Sequence, residues 1–475
     1  MSRTAWKIHP DCYWECKMED LIVIGSGPAG YVAAIRASQL GLSVAIVEKY
    51  STFGGTCLNV GCIPSKALLQ SSEHFAFIEK HADEHGIQLK NATVDFSKMM
   101  KRKEEVVASL VGGIEGLLKR NKVKTVQGSA RFVSPEEIEV NGKKMRAKHF
   151  LIATGSKPIE LPFLPFDEKV VVSSTGALSL PSVPKKMVVV GAGVIGVELA
   201  SVYSRLGSEV AIVEMLDRIT PAMDNQIGKT FQKILSAQGL TFHLGAQVTD
   251  AKVSKKGAEL SVRIKGKEST LKADVVLVAI GRKPYSEGLG VEEIGIAKTK
   301  QGFIVVDGNF CTNHPNILAV GDIIDGPMLA HRASEEAVAA VESLAGKSSH
   351  INYMAIPNVI YTMPEVAAVG LTEEEGKEMG LELITGVFPF KGNARARCAG
   401  ETEGIVKVIG EKNSGRLLGV HLVGANASEM IGEGVVAIEK RATVRELAYT
   451  SHAHPTLSEA IKEAALAACE KPIHL

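Results

Sequence analysis

Asp20-Leu21-Ile22-Val23-Ile24 runs directly into Gly25-Ser26-Gly27-Pro28-Ala29-Gly30, and an Ala-rich stretch from Val32 to Leu40 follows before Gly41. The apolar run predicts a buried strand, the glycines a tight turn, and the Ala-rich stretch a helix that Gly41 stops. Val44-Ala45-Ile46-Val47 then predicts a second buried strand, ending in Glu48. Strand, glycine turn, helix and acidic strand end together form the dinucleotide fingerprint in the context that gives it meaning. The first two glycines, Gly25 and Gly27, let the backbone turn and approach a pyrophosphate. The helix N-terminus adds partial positive charge there, and Glu48 is placed to accept hydrogen bonds from a ribose hydroxyl.

The same phrase is written a second time. Met187 to Val190 leads into Gly191-Ala192-Gly193-Val194-Ile195-Gly196. Leu40-Gly41 returns as Leu206-Gly207, and Val44 to Glu48 returns as Val210-Ala211-Ile212-Val213-Glu214. Two complete copies in matching register imply two nucleotide-binding domains. A carboxylate at Glu214 bonds a free 2′-hydroxyl and repels a 2′-phosphate, so the second site is expected to take NAD. Arg218 nearby leaves NADP as the lesser alternative.

Composition narrows the remaining choices. The chain has 475 residues, enough for about three domains. Lys and Arg number 54 against 53 Asp and Glu, a net charge of +1, which gives no electrostatic reason to bind nucleic acid or an anionic membrane. No uninterrupted apolar run is long enough for a membrane-spanning helix. Residues 1–17 lack an apolar core flanked by basic residues and are expected to be a loose arm, with a cytoplasmic location following from that reading. Cys12, Cys16 and His9 in this arm match no zinc spacing, and no metal site is expected.

Two cysteines stand out from the seven. They lie in Gly54-Gly55-Thr56-Cys57-Leu58-Asn59-Val60-Gly61-Cys62-Ile63-Pro64-Ser65-Lys66. On one regular helix, residues five apart are about 7.5 Å apart along the axis and point in different directions. Disulfide geometry needs closer, converging Cβ atoms, so a bridge demands a bent first turn, which Gly61 can supply. So short a loop gains little stability from closure. Redox exchange is then the better reading, and two unrelated buried thiols the other. Pro64 suits a first helical turn. Lys66, one turn beyond Cys62, faces the same side and would stabilise a thiolate or a reduced, anionic flavin.

This segment resembles the active-site motif of the flavin-dependent pyridine nucleotide–disulfide oxidoreductases. Ala153-Thr154-Gly155, Ala279-Ile280-Gly281-Arg282, Ala319-Val320-Gly321-Asp322 and His452-Ala453-His454-Pro455-Thr456-Leu457-Ser458-Glu459 extend the resemblance over nearly everything from Met18 onward. It implies an α/β fold with two Rossmann-like domains, for FAD and NAD, and a C-terminal α+β dimerisation domain. The expected bounds are 18–158 and 285–353 for the FAD domain, 159–284 for the NAD domain and 354–475 for dimerisation. Glu214 sets the chain apart from relatives with a basic NADP site. A lone Cys469 before Glu470 sets it apart from relatives with a C-terminal cysteine pair.

The resemblance further implies residue roles. Cys57 is the interchange thiol and Cys62 the thiol beside the flavin, forming the charge-transfer thiolate. His454 is the base, supplied by the partner subunit, and a thiol attacks only as thiolate, so it needs such a base. Glu459 orients His454, although Thr456 to Glu459 also reads as a helix capping box. His452 matches no catalytic position and is read as structural. Toward non-covalently bound FAD the resemblance adds Gly55, Thr56, Lys66, Ala130, Asp322 and Ala330, the last within Met328-Leu329-Ala330-His331. Toward NAD it adds Glu198, Val248 and Gly281. The implied activity is oxidation of protein-bound dihydrolipoyl groups with reduction of NAD⁺. The implied partners are a second copy of the chain and the lipoyl domains and core or peripheral-subunit-binding domain of a 2-oxoacid dehydrogenase or glycine cleavage complex. A reductase of another disulfide or of a metal ion, and a catalytically silent flavoprotein binding subunit, are the alternatives.

Overall fold

The computed structural model describes residues 18–474. The readings made on residues 1–17, the arm and its Cys12, Cys16 and His9, lie outside the described residues. The chain forms two compact units. One takes the chain up to Gly55 together with Val111–Ser156 and Lys283–Ile351; the other takes Thr56–Leu110, Lys157–Arg282 and Asn352–Leu475. The cysteine motif thereby groups with the second unit.

In the first unit, the strand Glu19–Ile24 lies between parallel neighbours Val44–Glu48 and Lys143–Ile152, with Lys124–Gln127 and Ile317–Ala319 outside them. Leu21 to Val23 and Ala45 to Ile46 have no exposure, as expected of a parallel sheet covered on both faces. Helix Pro28–Gln39 packs on helix Ala330–Leu344. Small residues on its inner face, Ala29, Gly30, Ala33, Ala34 and Ala37, let it sit close to the sheet.

The second unit repeats that plan. Its parallel sheet runs Thr241–Leu244, Glu209–Glu214, Lys186–Val190, Val275–Val278, Val171–Val172. An antiparallel meander of Ala246–Ser254, Gly257–Ile264 and Lys267–Ala273 is attached beside it. One hydrophobic core joins Leu68 and Leu69 of helix Cys62–Lys80 to Val197, Leu199 and Ala200 of helix Val194–Arg205 and to Ile360 and Val366. The last segment forms an antiparallel sheet ordered Asn358–Ile360, Glu365–Gly370, Leu417–Gly424, Ile405–Glu411, Leu383–Pro389. Helix Glu459–Cys469 lies on its edge strand. A Cβ on Gly386 of that strand would overlap the backbone of Ala464 and Ala468, so only glycine permits the approach. The architecture is the α/β arrangement of two glycine-turn sheets plus an α+β segment expected from the sequence. Among the described residues no helix is long and apolar enough to cross a membrane.

Candidate active site

The two fingerprints are built alike down to single hydrogen bonds. Gly25 and Gly191 take φ of +99° and +105°, and a Cβ on either would overlap the carbonyl oxygen of Ala153 or Ala279 respectively. A Cβ on Gly30 or Gly196 would likewise overlap the carbonyl of Gly25 or Gly191, the contact that seats helix on strand. Gly27 and Gly193 are the N-caps of Pro28–Gln39 and Val194–Arg205, and neither helix has a side-chain cap. Their first-turn N–H groups therefore face outward for an anionic ligand, with the helix dipole behind them.

The acidic strand ends match as well. Glu48 accepts the Ser26 N–H at 2.9 Å and the Tyr50 N–H at 3.0 Å. Glu214 accepts the Ala192 N–H at 2.7 Å and the Leu216 N–H at 2.8 Å. Both carboxylates are thus fixed in direction at the edge of their glycine turns. Arg218 is committed elsewhere, to Asn225 Oδ1 at 2.9 Å and the Pro221 carbonyl at 3.1 Å. The second site keeps its acidic character, consistent with a free 2′-hydroxyl.

The other expected cofactor residues fall within these units. Gly55 has φ of +58°, and a Cβ there would come 2.6 Å from Gly27 Cα, so this turn closes against the first fingerprint. Thr56 is exposed and Ala130 half-buried. Asp322, in the turn Gly321–Ile323, accepts from Ser156 Oγ at 2.6 Å. That turn is anchored by buried Glu336, which accepts the Gly321 N–H at 2.8 Å and pairs with Arg332. Ala330 opens helix Ala330–Leu344. Val248 lies at a bulge between Val248 and Asp250, and Gly281, at φ +124°, accepts the Ile159 N–H. These glycine cradles, uncapped helix starts and oriented carboxylates fit one dinucleotide at each fingerprint.

Cys57 and Cys62 are joined as a disulfide with Cα atoms 4.7 Å apart. The bend required by the sequence is present. Helix Gly55–Val60 ends, Gly61 intervenes, and helix Cys62–Lys80 begins. A Cβ on Gly61 would sit 2.8 Å from the Thr56 carbonyl oxygen and 3.2 Å from Cys57 Cα. One turn on, Lys66 Nζ contacts Glu198 Oε1 at 3.0 Å and Oε2 at 2.9 Å. Glu198 is only 4% exposed and also accepts the Tyr361 N–H at 2.9 Å. The Lys66 ammonium lies 4.4 Å from the centroid of the Tyr361 ring, a cation–π distance.

His454 Nδ1 lies 2.9 Å from Glu459 Oε1, and Glu459 Oε2 accepts the Thr456 N–H at 2.8 Å. One carboxylate thus meets both groups, one oxygen each. Only half of a capping box forms, because Thr456 Oγ donates to the Ala453 carbonyl and the helix starts later, at Glu459. Burial pushes the Glu459 carboxyl up, but the Thr456 N–H and His454 outweigh it and hold it below its ordinary range. The His454 side chain is 71% exposed, and among the described residues no hydrogen bond joins it to Cys57 or Cys62. Tyr361 and Glu433 escaped the sequence reading, and His452 was read there only as structural, since the Lys66–Tyr361 and His452–Glu433 contacts belong to no spacing pattern.

Residues 19–337 match the family model described as pyridine nucleotide-disulphide oxidoreductase, and residues 356–465 match that family's dimerisation domain. The chain is 48% identical to the mitochondrial dihydrolipoyl dehydrogenase of Pisum sativum, covering 96% of this chain and 92% of that one. It is also 48% identical to the leghemoglobin reductase of Vigna unguiculata, over 95% of this chain and 88% of that one. Among solved structures, LpdA from Mycobacterium tuberculosis superposes with a TM-score of 0.86 at 27% identity, covering 94% and 98% of the two chains. The chain belongs to the pyridine nucleotide-disulphide oxidoreductase family, whose cofactors are FAD and NAD. Within that family its similarity to dihydrolipoyl dehydrogenases extends over nearly its whole length.

Proposed function

We propose that this protein is a dihydrolipoyl dehydrogenase, oxidising protein-bound dihydrolipoyl groups while NAD⁺ is reduced. The observation that carries this reading is the Cys57–Cys62 disulfide at a helix break, followed one turn later by Lys66 locked onto Glu198. An ionised carboxylate only accepts hydrogen bonds, so Glu459 keeps the His454 proton on Nδ1 and leaves the Nε2 lone pair as base. Nε2 takes the proton from a dihydrolipoyl thiol. The thiolate attacks Cys57 Sγ, the Cys57–Cys62 bond breaks, and Cys62 leaves as thiolate. Cys57 then departs with the proton returned by His454 as the second substrate sulfur closes the lipoyl disulfide, and the freed Nε2 takes that second thiol's proton, so one proton ends on Cys57 and one on His454. The substrate loses two electrons and the cysteine pair holds them. Bound FAD and NAD⁺ supply the chemistry that carries this electron pair away as hydride.

Gly25, Gly27, Gly30, Glu48, Gly55, Thr56, Lys66, Ala130, Asp322 and Ala330 would hold FAD. Gly191, Gly193, Gly196, Glu198, Glu214, Val248 and Gly281 would hold NAD. On this reading residues 18–158 and 285–353 serve FAD, 159–284 serve NAD, and 354–475 make a homodimer in which the exposed His454 serves the neighbouring cysteines. The wider partners are lipoyl domains and a 2-oxoacid dehydrogenase or glycine cleavage assembly. A cytoplasmic location remains our reading against relatives named as mitochondrial, and cell fractionation separates the two. Turnover of free dihydrolipoamide with NAD⁺ tests the function: Cys62→Ser should lose about 10³-fold or more in kcat. Undiminished turnover in that variant, or faster turnover of glutathione disulfide with NADPH by the wild type, would reject the reading.

A further inference from the structure

The loop that carries His454 holds a second imidazole with a different environment. His452 lies between helices Val444–Tyr449 and Glu459–Cys469, and its side chain is only 7% exposed. Its Nδ1 is 2.9 Å from the Thr450 carbonyl oxygen, and its Nε2 is 2.6 Å from Glu433 Oε1 on helix Ala427–Glu439. A carbonyl oxygen can only accept, so Nδ1 carries a proton. An ionised carboxylate can only accept, so Nε2 carries one too. Both ring protons coexist only in the imidazolium, whose bond to the Glu433 carboxylate is a charge-assisted one.

The charges around the ring agree. Glu433 holds its pKa above the ordinary histidine value, with burial and Lys462 of the closing helix opposing. Glu459, at the head of that helix, in turn feels the His452 charge as one of the influences holding its carboxyl down.

We propose that His452 is a constant imidazolium that staples the 450–456 loop to helix Ala427–Glu439 and biases the His454–Glu459 pair by its charge. It is a positioning residue, and the proposal rests on the reading of His454 as base. The segment that delivers the base has no regular structure between its two helices, so its placement depends on side-chain anchors of this kind. Charge also matters for direction. Removing a positive charge makes protonation of a neighbouring base easier, so loss of the imidazolium should move the pH dependence of the reaction upward.

Histidine-selective ¹⁵N NMR of the holoenzyme, assigned with His452→Gln, should show both ring nitrogens of His452 protonated through pH 8. In Glu433→Gln the ring should lose one of those protons near neutral pH. In His452→Gln, kcat should fall about 10-fold and the acid limb of kcat/KM should move up by about 0.5 pH unit. A merely structural role would lower kcat or dimer yield and leave the limb in place. A His452 ring that titrates below pH 7 in the wild type, or an unmoved limb in the variant, would overturn the proposal. His454→Gln tests the separate reading: retained turnover there would refute His454 as base while leaving the NMR result on His452 standing.

Discussion

Glu459 shows how much one side chain can be asked to do. Its two oxygens accept from two donors, the His454 ring and the Thr456 N–H. An amide in its place has one acceptor and one donor, so Glu459→Gln must turn its NH₂ toward one of those N–H groups. We expect kcat for dihydrolipoamide to fall about 10²-fold with little change in KM, measured by steady-state kinetics. An unchanged kcat would show that the carboxylate does not set the tautomer. Glu198 raises the same question in a buried setting. Glu198→Gln removes the charge that balances Lys66 and should cost about 2 kcal/mol in urea unfolding, less than a fully buried pair because Lys66 retains some solvent. At this scale the sequence was most informative where chemistry demands a residue type. Cys57, Cys62, Lys66, His454 and Glu459 could be named from their motifs, whereas Tyr361, which touches Lys66, carried no such mark.

Among the elements, the break at Gly61 and the junction at Lys407 are decided by different forces. Gly61 is a matter of space: a methyl group there would press on the Thr56 carbonyl and Cys57 Cα. Gly61→Ala should destabilise by about 1–3 kcal/mol, and thiol titration of the oxidised protein should reveal free Cys57 and Cys62. Lys407, on strand Ile405–Glu411, is a matter of charge. It is buried with Asp224 at 3.0 and 2.8 Å and Glu373 at 2.6 Å, and Asp224 also caps helix Asn225–Ala237 through the Gln226 N–H. Burial pushes the Asp224 carboxyl up, but the Lys407 hydrogen bond and charge outweigh it and leave it below the ordinary carboxylate range.

Folded Asp224 therefore stays ionised at a pH where the unfolded chain has taken up its proton. Its contribution is complete above the ordinary carboxylate range and is lost as the pH falls through its own lower value. Lys407→Met removes the main partner that offsets burial, leaving chiefly the Gln226 and Glu373 N–H groups on the carboxylate, and should cost about 3–5 kcal/mol at pH 7.5. The deficit should narrow at pH 4.5, where the stranded carboxyl takes up a proton; urea unfolding at both pH values checks this. A deficit that widened on acidification would contradict it.

Taken as a whole molecule, the protein makes its strongest prediction through its dimer. If His454 serves the neighbouring cysteines, Cys57→Ser and His454→Gln homodimers are each inactive, but a hybrid holds one intact site. Equal mixing after reversible dissociation should restore about one quarter of wild-type turnover, since half the dimers are hybrids with one working site each. No recovery, with hybrids confirmed by native mass spectrometry, would place base and disulfide within one chain.

Much of this architecture was legible in the residues because its demands are local. A φ near +100° at Gly25 and Gly191, an apolar strand before each and a carboxylate after each are requirements of a few consecutive residues, so they appear as consecutive letters. The disulfide bend was likewise readable, because five-residue spacing on a straight helix is incompatible with a sulfur–sulfur bond. What only the tertiary structure decided are the pairings across the chain: Lys66 with Glu198 and Tyr361, Lys407 with Asp224, His452 with Glu433. Such partners meet because sheets and helices converge in space. Local backbone rules set which residues can make a turn, but burial and charge balance choose which distant side chains close on one another.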